Sequence, residues 1–124
     1  MAAYVTLRSG RANASVLIDA LHFSRSGGLP AHLAQVDPGL FRYAQICDAG
    51  PDMPGPGDTP ALIREARTGR LLPGDGILPL AELVVALPAG VPLAVEAPCR
   101  EIAELPAAER ARRAYRALTA LLDA

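Results

Sequence analysis

Short apolar runs, each closed by a single carboxylate, organise this chain. Ser15-Val16-Leu17-Ile18 ends at Asp19. Tyr43-Ala44-Gln45-Ile46-Cys47 ends at Asp48. Val91-Pro92-Leu93-Ala94-Val95 ends at Glu96. Runs of this length, rich in Val, Ile and Leu and bounded by Gly, Pro or Asp, read as strands. The pattern predicts strands over 15–19, 41–47 and 91–96.

The segments between them change period. Leu80, Leu83, Val84 and Leu87 recur at helical spacing, so 79–87 reads as an amphipathic helix. Thr59 and Pro60 resemble a cap and first helical residue, which opens a short helix over 61–67. A short helix is expected over 30–36, with Pro30 in its first turn, and one turn over 101–104. Residues 106–122, rich in Ala, Arg and Leu, predict the longest helix. Residues 1–13 read as the end of a helix stopped at Gly10. Segments 24–28, 48–58 and 70–76 carry too much Gly, Pro and Ser for regular structure and are expected to be loops.

Strand-like runs alternating with helix-like runs indicate an α/β fold with a parallel sheet and crossover helices. Chemistry in such sheets gathers beyond the carboxyl ends of the strands. Three acids at three strand ends can converge there. Such a group suits a divalent cation or acid/base work on a small polar substrate.

Composition narrows this picture. The 124 residues suit a single domain, and 51% hydrophobic content allows a core. The 11 Gly and 12 Pro are mixed with Leu and Val, so they indicate many turns. The 12 basic residues are all Arg against 13 acids, giving net charge −1. No basic stripe is interleaved with aromatics, which argues against a nucleic-acid partner. Arg110, Arg112, Arg113 and Arg116 fit a solvated helix face. Cys47 and Cys99 lack CxxC spacing and are expected to be reduced and partly buried. No run approaches the ~18–20 apolar residues of a membrane span. No membrane partner and a cytoplasmic location are expected.

Length sets a problem. A barrel of eight strand–helix units takes about 250 residues, and this chain has about half that. Three open parallel strands leave two unpaired edges, and parallel sheets are normally covered on both faces. The chain is therefore expected to self-associate as a homo-oligomer, to meet a partner supplying further strands, or to be part of a larger architecture.

Four stretches together resemble the carboxyl-terminal part of the xylose isomerase-like barrel superfamily, which holds sugar-phosphate isomerases and epimerases and the endonuclease IV-type proteins. Residues 16–28, with Asp19-x-x-His22, are similar to that family's sixth strand. Residues 44–50, with Gln45-x-x-Asp48, are similar to its seventh. Arg70-Leu-Leu-Pro-Gly-Asp-Gly76 resembles its Arg-x-x-Pro-Gly-Glu-Gly loop. Leu93-Ala-Val-Glu-Ala-Pro98 resembles the eighth strand with its terminal Glu. The match covers about 14–122, leaving 1–13 as the remnant of a preceding helix. The resemblance implies a partial (βα)8 TIM barrel, three parallel strand–helix units corresponding to strands six to eight, as a single domain over 1–124.

The resemblance also implies roles. Asp19, Gln45 and Glu96 would hold a divalent metal. Glu96 would act as acid/base beside a carbonyl. His22 would contact substrate oxygens and share in catalysis. Arg67 or Arg70 would face a substrate hydroxyl or phosphate, and Asp48 would lie near the substrate. Gln45 stands where epimerases carry a His; its neutral amide oxygen suits Mg²⁺ or Mn²⁺ more than Zn²⁺. A further Glu that the family supplies from an earlier strand has no counterpart here, so the metal set is incomplete.

Plainer roles compete with these. Asp19 suits a cap for the turn after it, with His22 a polar residue at the sheet edge. Asp48 suits organising its Pro/Gly loop through backbone N–H groups. Gln45 shares a face with Tyr43 and Cys47 in a regular strand. A charged group such as Glu96 at the end of a buried strand demands a partner or a cation. Arg25, with Ser24, Ser26, Gly27 and Gly28, suits an anion-binding loop or an exposed one, and His32 a surface position.

Two functions follow. One is a sugar or sugar-phosphate isomerase or epimerase with an incomplete metal site. The other is a non-catalytic half-barrel serving binding or assembly. An endonuclease IV-type hydrolase needs three zinc ions and several His; the chain has 2 His in all.

Overall fold

A computed structural model describes residues 1–55 and 57–124. Pro56, within the expected loop 48–58, lies outside the described residues. The elements in chain order are helix α1 (Ala2–Arg8), strand β1 (Val16–Asp19), helix α2 (Ala20–Arg25), strand β2 (Phe41–Ile46), helix α3 (Thr59–Thr68), helix α4 (Leu80–Ala86), strand β3 (Leu93–Val95) and helix α5 (Ala107–Leu122). Short 3₁₀ turns cover Pro30–Gln35, Pro38–Leu40 and Arg100–Ile102.

The strands form one parallel sheet in the order β1-β2-β3. Asp19 pairs with Gln45, and Gln45 with Ala94. The ladder continues past β3, where the Glu96 N–H donates to the Ile46 carbonyl at 3.1 Å. A bulge lies near the start of β1, where Val16 and Leu17 face Phe41 and Tyr43, so Arg42 is the extra residue.

Two departures from the sequence expectation have local causes. The expected loop over 24–28 is partly helix: α2 runs to Arg25 because Asp19 caps its first turn and Leu21 buries fully under it. At the start of α3 the capping oxygen comes from Asp58, not Thr59. Its carboxylate accepts from the Ala61 N–H at 3.0 Å. Either residue type can cap, and the carboxylate took the position one residue earlier.

Side-chain alternation divides the sheet. Ile18, Ala44, Ile46 and Leu93 point to the helices and join Leu21, Leu80, Leu83 and Leu87 in the main core. Register puts Leu17, Asp19, Tyr43, Gln45, Ala94 and, by alternation, Glu96 on the opposite face. There Leu17 is 49% and Tyr43 39% exposed. A smaller cluster of Leu72, Cys99 and Ile102 packs with Val95 and Ala114 beside β3. Among the described residues no helix is long and apolar enough to cross a membrane.

Candidate functional site at the carboxyl rim of the sheet

Arg70 is the centre of the rim, and the backbone delivers it there. Gly69 forms an antiparallel bridge with Cys99, and Leu71 forms one with Asp48. The Asp48–Leu71 bridge is reciprocal, with both N–H···O distances at 2.9 Å. Residues on both sides of Arg70 are thus tied beyond the ends of β3 and β2. Gly69 ends α3 with its Cα against the helix; a Cβ there would lie 3.1 Å from Glu65 Cα. Glycine permits that close turn.

The guanidinium uses this placement fully. Nε donates to the Ala66 carbonyl at 3.0 Å, in the last turn of α3. Nη1 donates to Asp19 Oδ2 at 2.7 Å and to the Glu96 carbonyl at 3.1 Å, and it lies 3.5 Å from Cys47 Sγ. Nη2 lies 3.3 Å from His22 Nε2. A guanidinium nitrogen only donates, so this contact makes Nε2 an acceptor and places the proton of the neutral imidazole on Nδ1. Burial works against the charge on Arg70. The hydrogen bonds to Asp19 and Cys47 and the neighbouring Asp19 charge outweigh it and hold the guanidinium firmly protonated.

Asp19 is correspondingly committed. Its Oδ1 accepts from the His22 N–H at 3.0 Å, capping α2, and its Oδ2 accepts from Arg70. The two side chains are 8% and 6% exposed. Burial pushes the Cys47 thiol up from its ordinary 9.0, although Arg70 pulls the other way. A thiol so shifted stays protonated near neutrality and is a poor nucleophile and metal ligand.

Asp48 lies under the rim rather than in it. Oδ1 accepts from the Ala49 and Leu78 N–H groups, each at 2.9 Å, and Oδ2 from the Gly74 N–H at 3.1 Å. It is buried and shapes the 70–78 loop. Gly76 closes over it so tightly that a Cβ would collide with the Ala49 carbonyl and the Asp48 carboxylate.

The remaining residues take distinct positions. Gln45, half-buried, stands beside Asp19 on the same face, and the exposed Glu96 side chain follows from β3. Arg25 is neither an anion loop nor free: it pairs with Glu65 at 2.6 Å and joins α2 to α3. Exposed His32 accepts from the Leu29 N–H through Nδ1 at 3.2 Å. Arg67 is separate from the Arg70 cluster. It lines a neighbouring cavity of about 420 Å³ with Arg100 and Arg110, over an apolar floor that includes Val95, Ala97 and Ile102. Among the described residues, no carboxylate lines that cavity. Arg100 and Arg110 were not singled out as ligand contacts, because their meeting with Arg67 depends on how α5 packs against β3.

The residues present do not fit a divalent ion. Among the described residues, no group of three or more His, Cys, Asp or Glu is arranged to hold one. The buried carboxylate that such an ion would neutralise already has Arg70 as its counter-charge.

The architecture is that of part of a xylose isomerase-like TIM barrel. Superposition on solved structures gives a TM-score of 0.81 with the IolI protein, whose structure holds a zinc atom. That match has 23% identity and covers 97% of this chain and 41% of IolI. A fusion of a xylose isomerase-like TIM barrel with 4-hydroxyphenylpyruvate dioxygenase superposes at 0.76. It is 19% identical over 95% of this chain and 18% of its own length. A xylose isomerase domain protein from Alicyclobacillus acidocaldarius subsp. acidocaldarius gives 0.63 with 29% identity, covering 92% of this chain and 39% of that one. The chain thus spans well under half of each of these structures. No protein-family model and no curated protein matches it.

Proposed function

We propose that this chain supplies one side of an isomerase- or epimerase-like site for a sugar or sugar phosphate, and that it reaches turnover only when further strands complete the barrel. One observation carries the reading: Asp19, Gln45 and Glu96 follow one another across the rim of the face that the chain's own helices leave open. A parallel sheet is rarely stable in water with one face bare. The completing strands come from a second copy, a partner chain or further sequence of the same protein, without nucleic acid or membrane, in the cytoplasm.

In the completed site the exposed Glu96 carboxylate takes and returns a proton on the carbon beside a carbonyl. His22, and through it Arg70, hydrogen-bonds ligand oxygens. No step in this reading passes through Mg²⁺, Mn²⁺ or Zn²⁺.

Light scattering on the purified chain tests the assembly. The expected mass is at least twice the 12.9 kDa of one copy, or one copy that unfolds without cooperativity until a partner is added. A compact, cooperatively unfolding monomer overturns the reading. Proton exchange on a keto-sugar by the isolated chain would overturn its dependence on further strands.

A further inference from the structure

The one buried carboxylate on the open face needs a cation, and the chain carries its own. We propose that the Arg70 guanidinium is the resident counter-ion of Asp19, so that the rim excludes a divalent ion instead of awaiting one. The inference rests on the rim alone and stands or falls apart from the assembly.

Three features carry it. First, both Asp19 oxygens are taken, one by Arg70 Nη1 and one by the His22 N–H. Each oxygen keeps a further lone pair, but a metal ion using it would sit against the Arg70 cation and be repelled by it. Second, Arg70 has no easy retreat. Its backbone is held on both sides by the bridges to Cys99 and Asp48, its Nε by the Ala66 carbonyl and its Nη1 by the Glu96 carbonyl. Displacing it from Asp19 would leave a buried, uncompensated guanidinium, a cost that lowers apparent metal affinity by on the order of 100-fold or more. Third, the nearby soft donors are withdrawn: His22 Nε2 faces Arg70 Nη2, and the Cys47 thiol is buried beside the same cation.

A guanidinium and a divalent ion place positive charge at this rim differently. The ion is a point charge with open coordination positions that bind ligand oxygens directly. The guanidinium is planar, offers only donors and cannot polarise a bound water toward hydroxide. The rim is therefore suited to hydrogen-bonding hydroxyl, carbonyl or carboxylate oxygens and not to metal-activated water.

Titration of Mn²⁺ into the full 124-residue chain, followed by paramagnetic resonance and calorimetry, tests this. The wild-type chain should show no binding that Asp19→Asn removes, and neither EDTA nor millimolar Mn²⁺ should move its melting temperature. Arg70→Met should bind Mn²⁺ at least about 10-fold more tightly than wild type, and Arg70→Met/Asp19→Asn should lose that gain. Arg70→Lys, which keeps a positive charge, should behave as wild type. Wild-type binding that depends on Asp19, or a folded Arg70→Met chain that gains nothing, overturns the proposal. Should Arg70→Met fail to fold, the wild-type chain decides: a rise in melting temperature with Mn²⁺ that Asp19→Asn abolishes refutes the resident guanidinium, and indifference to both Mn²⁺ and EDTA sustains it.

Discussion

The two faces of the sheet follow opposite rules. On the helix side Ile18, Ala44 and Ile46 interdigitate with α2 and α4 residues and are almost inaccessible to water. On the other side Leu17 and Tyr43 stand exposed, and the polar residues of the rim gather at one end. The covered face resembles a finished protein interior. The open face resembles the inner wall of a barrel seen without its far side. Apolar burial thus lies on one face and candidate chemistry on the other, and the buried Asp19–Arg70 pair is where stability and chemistry meet.

The largest effect is expected where the rim meets the core. Asp19→Asn measured in EDTA leaves Arg70 buried and unpaired and should cost about 3–5 kcal/mol in urea unfolding. A loss below about 1 kcal/mol would show that water reaches the pair and that the rim is no extension of the interior. Ile46→Ala, on the covered face, should cost about 2–5 kcal/mol by leaving a cavity under α4. Asp48→Ala strands three backbone N–H groups. It should cost about 1–3 kcal/mol or more and speed hydrogen exchange at Ala49, Gly74 and Leu78 in particular.

Smaller effects sharpen the contrast. Burial holds the folded Cys47 thiol above its ordinary 9.0, so the unfolded chain ionises first. Its stabilising effect is full below that value and is lost as pH rises through the folded value. The melting temperature should therefore fall more steeply from about pH 8 to about pH 10 in wild type than in Cys47→Ala; parallel profiles would mean the thiol is hydrated. Smallest of all, Leu17→Ser with Tyr43→Ser should change the stability of a single copy by no more than about 0.5 kcal/mol. The same pair should lower the mass seen by light scattering. A pair of substitutions that destabilises strongly without changing the mass would mean that the open face is covered from within.

The alternation of strands and helices was legible because each strand is a short apolar run ending in a carboxylate, and the period changes between runs. The strand limits at 16–19 and 41–46 fall within a residue of the expected ones. The third strand is shorter, Leu93–Val95, since Pro92 offers no N–H to the ladder. The end of helix α2 was hidden because Ser24 and Arg25 run into Ser26-Gly27-Gly28, which together look like loop until Asp19 is seen to cap the helix. The motif around Arg70 marked the residue as chemically interesting but not its partner. Arg70 and Asp19 are 51 positions apart, and nothing in local spacing reports that the loop after α3 turns back across two strand ends. Arg67 and Arg70, three residues apart, have different neighbours for the same reason: the turn at Gly69 sends one to the cavity with Arg100 and Arg110 and the other to Asp19.

Strands β1 and β3 never touch each other in the ladder; β2 lies between them. Yet Nη1 of Arg70 holds the side chain that ends the first and the carbonyl just past the third. One nitrogen atom thus acts as a strut across the width of the sheet. Any newcomer that bends the outer strands toward a closed cylinder must stretch or rotate that strut, so closure and the arrangement of the rim are mechanically geared to each other.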